Sequence, residues 1–206
     1  MALVKNKTTN TAFDPLTSLE DAIKTYKSVA DFDHKSFAIE AIINYEGGAK
    51  FLLDELKNSD TAKNISAYIA AELGNMDPKK APIEEIMELL KLHNAYVRNL
   101  GISVLQNYGD AIKYYIVKFL IGDDKDLRIF AVNVLGDVNF AESRDMLLEL
   151  LEKEDDINVS MTAVDYIAEI GELEDIDQLE NIKQRFNDEP YVQFAIDRAI
   201  TCIKGE

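Results

Sequence analysis

The sequence predicts an all-α protein, an α–α superhelix (α-solenoid) of six helical hairpins. Three observations lead there. An apolar pattern returns about every 31 residues, each copy has the 3.6-residue period of a helix, and Gly-containing breaks recur between the helical runs. At 206 residues the chain can bury roughly 70% of its unfolded surface. Hydrophobic residues make up 47% of it, which excludes a chain disordered as a whole.

The recurring segment reads apolar–x–x–x–small–apolar–x–x–apolar. It occupies residues 97–105, 127–135 and 159–167, and weaker copies centre on Ala38, Ile69 and Ala195. The central position of each copy is its anchor: Ala38, Ile69, Gly101, Ala131, Ala163 and Ala195, spaced 31, 32, 30, 32 and 32 residues apart. One position on stand Ile39, Ala70, Ile102, Val132, Val164 and Ile196. Three further on stand Ile42, Leu73, Leu105, Leu135, Ile167 and Ala199. Both columns are apolar throughout, so they mark the buried stripe of one helix per repeat. The anchors, mostly Gly or Ala, let a partner helix come close.

A second amphipathic run accompanies each of these helices, clearest at residues 82–90, 111–121 and 143–151. Pro82 suits the first turn of such a helix, where its missing N–H is not needed. Ser18 and Asp21 have the spacing of a capping box for the first helix. Breaks fall at Gly47-Gly48, residues 74–78, Gly109-Asp110, Gly136-Asp137 and Gly171. The organisation expected is a flexible N-terminal arm over residues 1–15, with Phe13 and Leu16 folding back onto the first helix. A repeat domain follows over 16–206, with repeats at about 18–46, 47–76, 81–109, 110–139, 140–171 and 174–204.

Acidic residues number 38 against 22 basic ones, for a formal net charge of −16. That balance argues against non-specific nucleic-acid binding and against anionic membrane surfaces, both of which need cationic side chains. No secretory signal or membrane-spanning run is apparent, and one cysteine excludes a disulfide framework, so a cytoplasmic location is expected. The acids are uneven: residues 149–180 hold twelve of them and one lysine. Those at Glu154-Asp155-Asp156 and in residues 172–177 are expected in solvated turns. Repeats five and six are then the most electronegative end of the solenoid.

Two segments carry a family resemblance: Asn94-Ala95-Tyr96-Val97-Arg98 and Asp124-Lys125-Asp126-Leu127-Arg128. Each is a polar turn entering a helix that opens apolar–Arg, and Leu73-Gly74 and Leu135-Gly136 supply the matching helix end. On these residues the chain resembles HEAT repeats over about residues 18–204. It is similar in particular to the short HEAT-like repeats also found in phycobilisome bilin lyases. The resemblance implies a structural role for Arg98 and Arg128, joining acids between repeats, with Asp123, Asp124 and Asp126 nearby. Ser160 and Val192 at the equivalent positions would end such a ladder midway. Ala131 and Gly136 are structural on the same alignment.

The resemblance also places the second helix of each repeat on the inner surface. Two residues after the anchor come Glu40, Ala71, Ser103, Asn133, Asp165 and Asp197. One turn later come Asn44, Asn75, Asn107, Asp137, Glu169 and Thr201. With Phe130 and Tyr166 these form an acidic, amide-rich ladder with aromatic edges and no basic residue in either column. It suits a protein partner bearing a Lys/Arg-rich surface. It reads equally as a solvated face whose aromatics pack between helices.

A catalytic constellation is not found. His34 takes an apolar slot at a helix start and is expected to pack there, while His93 sits at a turn. Neither has a His or Cys at metal-ligand spacing, so no metal or cofactor is expected. Cys202 falls near apolar positions and is expected to be a buried thiol. The expected function is a non-catalytic protein–protein interaction scaffold. The alternatives are a bilin or tetrapyrrole lyase- or chaperone-like factor, implied by the resemblance alone, and homotypic assembly through the apolar last helix. The anchor assignment makes its own prediction. Ala131→Leu should overpack the helix contact and cost about 1–3 kcal/mol in chemical denaturation; an unchanged midpoint would refute the anchor.

Overall fold

The computed structural model describes residues 14–138 and 140–205, so the expected arm, Phe13 included, lies almost wholly outside the described residues. Among those described there are twelve α-helices and no strand. They are α1 (Leu19–Ser28), α2 (Phe32–Ile42), α3 (Gly48–Lys57), α4 (Lys63–Gly74), α5 (Ile83–Met87) and α6 (Ala95–Gln106). The series continues with α7 (Lys113–Leu120), α8 (Lys125–Gly136), α9 (Ser143–Lys153), α10 (Ile157–Ile170), α11 (Ile176–Arg185) and α12 (Pro190–Lys204). Consecutive pairs form six hairpins, and the chain is an all-α solenoid.

The helices begin where short polar side chains can accept the first free N–H groups. Ser18 caps α1 by accepting the Asp21 N–H at 3.1 Å. The returning arm of the box is displaced by one residue, since Asp21 accepts from the Thr17 N–H at 3.4 Å. Four second helices open on an Asp or Asn placed seven residues before the anchor. Asp31, Asn94, Asp124 and Asp156 accept N–H groups of the next turn at 3.0, 3.1, 2.9 and 2.9 Å. Each such cap contributes about 1 kcal/mol. Pro82 differs from expectation: it stands at the cap position of α5, one residue before the helix proper. That helix is five residues long and tightens into a 3₁₀ turn, Glu88–Lys91. Pro190 is the proline at a first helical position.

All six anchors are buried. So are both stripe columns except Ile102, which is half-exposed. At Gly101 the need for a small residue is direct, because a Cβ there would lie 2.9 Å from the Leu89 Cβ. The second helices stack in unbroken order, α2 on α4, α4 on α6, α6 on α8, α8 on α10 and α10 on α12. Among first helices only α5 with α7 and α9 with α11 pack closely. The second helices are therefore the more closely packed layer. Leu16 packs against the core, and its carbonyl accepts the Tyr45 hydroxyl at 2.6 Å.

Four repeats share a tie absent from the sequence expectations. The carbonyl nine residues before the anchor lies at the end of each first helix. A side chain from the opening turn of the second helix donates to it. Arg98 reaches Leu92 O at 2.9 Å and Arg128 reaches Gly122 O at 2.8 Å. Ser160 reaches Glu154 O at 3.4 Å and Gln193 reaches Phe186 O at 3.2 Å. Each bond adds a donor to a carbonyl at a helix end, where Phe186 O also accepts the Glu189 N–H at 3.1 Å, and a guanidinium there complements the negative end of the helix dipole.

The arginines differ in what else they hold. Arg128 makes a two-pronged ion pair with Glu154 of the next repeat, at 2.6 and 3.0 Å, and Glu154 is only 5% exposed. Asp123, Asp124 and Asp126 are not its carboxylate partners: Asp123 offers its backbone carbonyl at 3.0 Å and Asp124 is spent on the cap. Among the described residues Arg98 pairs with no acid; it covers the Phe130 ring of the next repeat at 4.2 Å. Arg144, on α9, grips the buried Asp175 at 2.9 and 2.7 Å across the following junction. The acid-rich stretch is thus not only solvated turn; two of its members hold repeats four, five and six together. Replacing Arg128 with Met strands the buried Glu154 and should cost roughly 3 kcal/mol in urea unfolding. Arg198→Met, which removes an exposed pair with Asp165, should cost less than about 1 kcal/mol. Equal losses would contradict this division.

Candidate protein-interaction face

Positions two and six after each anchor are one helical turn apart and share a face. The structure leaves that face open. Glu40, Ala71, Ser103, Asp165 and Asp197 are exposed, as are Asn44, Asn75, Asn107, Asp137, Glu169 and Thr201, while Asn133 is half-buried. The residue before each anchor is half-buried in five repeats, Phe130 among them; in the sixth, Phe194 is 69% exposed.

The ladder is laced across repeat junctions. Gln106 donates to Asn133 O at 2.9 Å and to the Asp137 carboxylate at 3.2 Å. Tyr166 donates its hydroxyl to Asn133 Oδ1 at 3.1 Å, and Arg198 donates to Asp165 at 2.8 Å. Lys183 pairs with Asp197, and Asn107 donates to Ser103 O at 3.1 Å. Although no basic residue stands in the two columns, Arg198 and Lys183 reach into them from the side and neutralise part of the acidic end. Glu169 makes no ion pair among the described residues.

Tyr166 is the fixed aromatic of this face. Its ring lies over the backbone of Gly136, where an added Cβ would fall 2.1 Å from ring carbons. Gly136 is therefore required by the tyrosine packed on it from the next repeat. Burial pushes the Tyr166 hydroxyl above the ordinary tyrosine range, and the negative charges of Asp137, Glu169 and Asp165 push it further.

Two residues weighed for chemistry are placed differently from expectation. His34 does not pack into the core. Its Nδ1 lies 2.6 Å from Asp31 Oδ1, and this cap aspartate holds the ring at the surface. Cys202 is exposed, on the last turn of α12. Among the described residues no group of three His, Cys, Asp or Glu side chains is arranged to hold a metal ion. No helix there is long and apolar enough to cross a membrane.

The electrostatics of Tyr166 can be read directly. A raised pKa in the fold means its share of stability is fully present below about pH 10 and is lost as pH climbs through the raised value. In alkaline absorbance titration, the difference between the parent and Tyr166→Phe should show a late transition. Combining Asp137→Asn, Asp165→Asn and Glu169→Gln should move that transition down, though not to the ordinary value, because burial remains. A transition indifferent to the three acids would show that no negative field exists there.

Comparison with known proteins bears on the architecture. One similar solved structure is the crystal structure of an engineered protein, 19% identical, covering 91% of this chain and 96% of that chain with a TM-score of 0.39. No curated protein matches the chain. Residues 115–200, from α7 into α12, match the family model described as HEAT repeats, which supports reading the stacked hairpins as HEAT repeats.

Proposed function

We propose that this protein is a non-catalytic scaffold whose second-helix face binds a protein surface rich in Lys and Arg. HEAT repeats commonly mediate protein–protein interaction, which supports the general role. The observation that carries the finer reading is the open ladder around Tyr166. There the charges of Asp137, Asp165 and Glu169 act on one fixed aromatic ring, and the Asn133 amide lies beside it. An anchored aromatic in the field of carboxylates offers cationic side chains both charge pairing and a ring face.

The test is titration of a Lys/Arg-rich helical peptide into the full chain at low and high salt. Binding should weaken with salt, and Asp137→Lys combined with Glu169→Lys should weaken it tenfold or more, by about 1.4 kcal/mol. Glu46→Lys combined with Glu85→Lys makes the same charge change on exposed positions off this face and should leave it nearly intact. Equal weakening by both pairs would reduce the effect to net charge and refute the assignment.

Homotypic assembly has one specific observation in its favour. Tyr191 and Phe194 stand one turn apart on α12, 60% and 69% exposed. Light scattering should then show a mass that rises with concentration and returns to the monomer value in Tyr191→Ser with Phe194→Ser. A constant monomer mass would remove this reading.

A further inference from the structure

The first-helix layer has a gap where the second-helix layer has none. α7 packs on α5 and α9 on α11, but α7 and α9 do not meet closely. Between them lies a cavity of about 520 Å³, walled by Val117 and Leu120 from α7, by Ile121 just after it, and by Met146 and Leu150 from α9. Its floor is the Arg128–Glu154 ion pair joining repeats four and five. The wall continues outward as an apolar stripe: Tyr114, Val117 and Ile121, at helical spacing, are 83%, 38% and 77% exposed. An apolar stripe beside an unfilled groove is surface that water covers poorly.

The rim supplies the sign of the occupant. Arg128 is committed to Glu154, and Lys153 to Glu149 at 3.0 Å. Asp156 faces Lys125 at 3.5 Å. Asp123 and Asp155, at the turn end of the groove, make no ion pair among the described residues, so the cleft keeps uncompensated negative charge beside its apolar walls.

We infer that the α7–α9 groove is a second docking site, taking an amphipathic helix of a partner protein. Large apolar side chains one turn apart enter the groove, and Lys or Arg at the end near Asp123 and Asp155 completes the rim. A helix fits better than a small molecule because the groove is open along a helical stripe and Ile121 at its mouth is mostly in water, whereas small-molecule sites enclose their ligand. The site is built from first helices and turns, so it is separate from the face around Tyr166.

The experiment uses the full chain and a labelled helical peptide with Leu at i, i+3 and i+7 and Lys at one end, followed by fluorescence anisotropy. Saturable binding is expected. Ile121→Asp with Val117→Asp should weaken it at least tenfold, and Asp123→Lys with Asp155→Lys should do so independently through surface positions that leave the walls intact. Asp137→Lys with Glu169→Lys, on the other face, should leave this binding unchanged, so the two sites fail separately. Absence of binding would overturn the inference, as would equal binding of a peptide with Ser for Leu. Concentration-dependent self-association abolished by Ile121→Asp would also overturn it, by showing a second copy of this chain as the occupant.

Discussion

Each of the four middle second helices, α4, α6, α8 and α10, is sandwiched between the second helices of its neighbours, and the residue at its anchor sets how near the hairpin can close. At Gly101 the space is already taken by Leu89, and at Ala38, Ala131 and Ala163 the methyl group is wholly inaccessible. No hairpin buries these faces alone, so stability passes from neighbour to neighbour along the stack. The same packing decides which side of the second helix remains free. Because the anchor and its two stripe columns point inward, the positions two and six beyond the anchor point outward as a continuous ladder. The candidate interaction face is thus a consequence of how the core closes.

Closing the hairpins raises a second problem, the free carbonyls at the ends of the first helices. Four repeats bond the same carbonyl position with three side-chain types: Arg in repeats three and four and Ser in repeat five, three residues before the anchor, and Gln in repeat six, two before it. A cation in the opening turn of a helix would ordinarily oppose that helix's dipole. Here it serves the end of the preceding helix, where its charge is favourable. Only Arg128 adds an acid of the next repeat, and that single pair both fixes the junction and floors the groove between α7 and α9.

Much of this was legible because periodicity is local. The 31-residue spacing located all six second helices, and the apolar columns named the core with one exception, Ile102. What was not legible depends on partners 26 to 31 residues away. Glu154 and Asp175 look like ordinary turn acids until Arg128 and Arg144 are seen beside them. Asp124 read as an acid for the nearby arginines and Asp156 as a solvated turn residue, although their place seven residues before the anchor, shared with Asp31 and Asn94, was a signal available in the alignment. Tyr166 was named with Phe130 as an inner-face aromatic, but its dependence on Gly136 required the neighbouring helix. His34 and Cys202 were misjudged because apolar register alone does not say which side chains a cap or the last turn of a terminal helix will keep in water.

The acids of this chain are therefore divided between holding repeats together and facing outward, and the outward ones are those proposed to meet a basic partner. Carboxylate footprinting of the full chain, with and without a Lys/Arg-rich peptide, tests that division most directly. Glu154 and Asp175 should resist labelling in both states, while Asp137, Asp165, Glu169 and Asp197 should label freely alone and become protected with peptide. Protection spread evenly over exposed acids such as Glu46 and Glu85, or free labelling of Glu154 in the absence of peptide, would contradict the account.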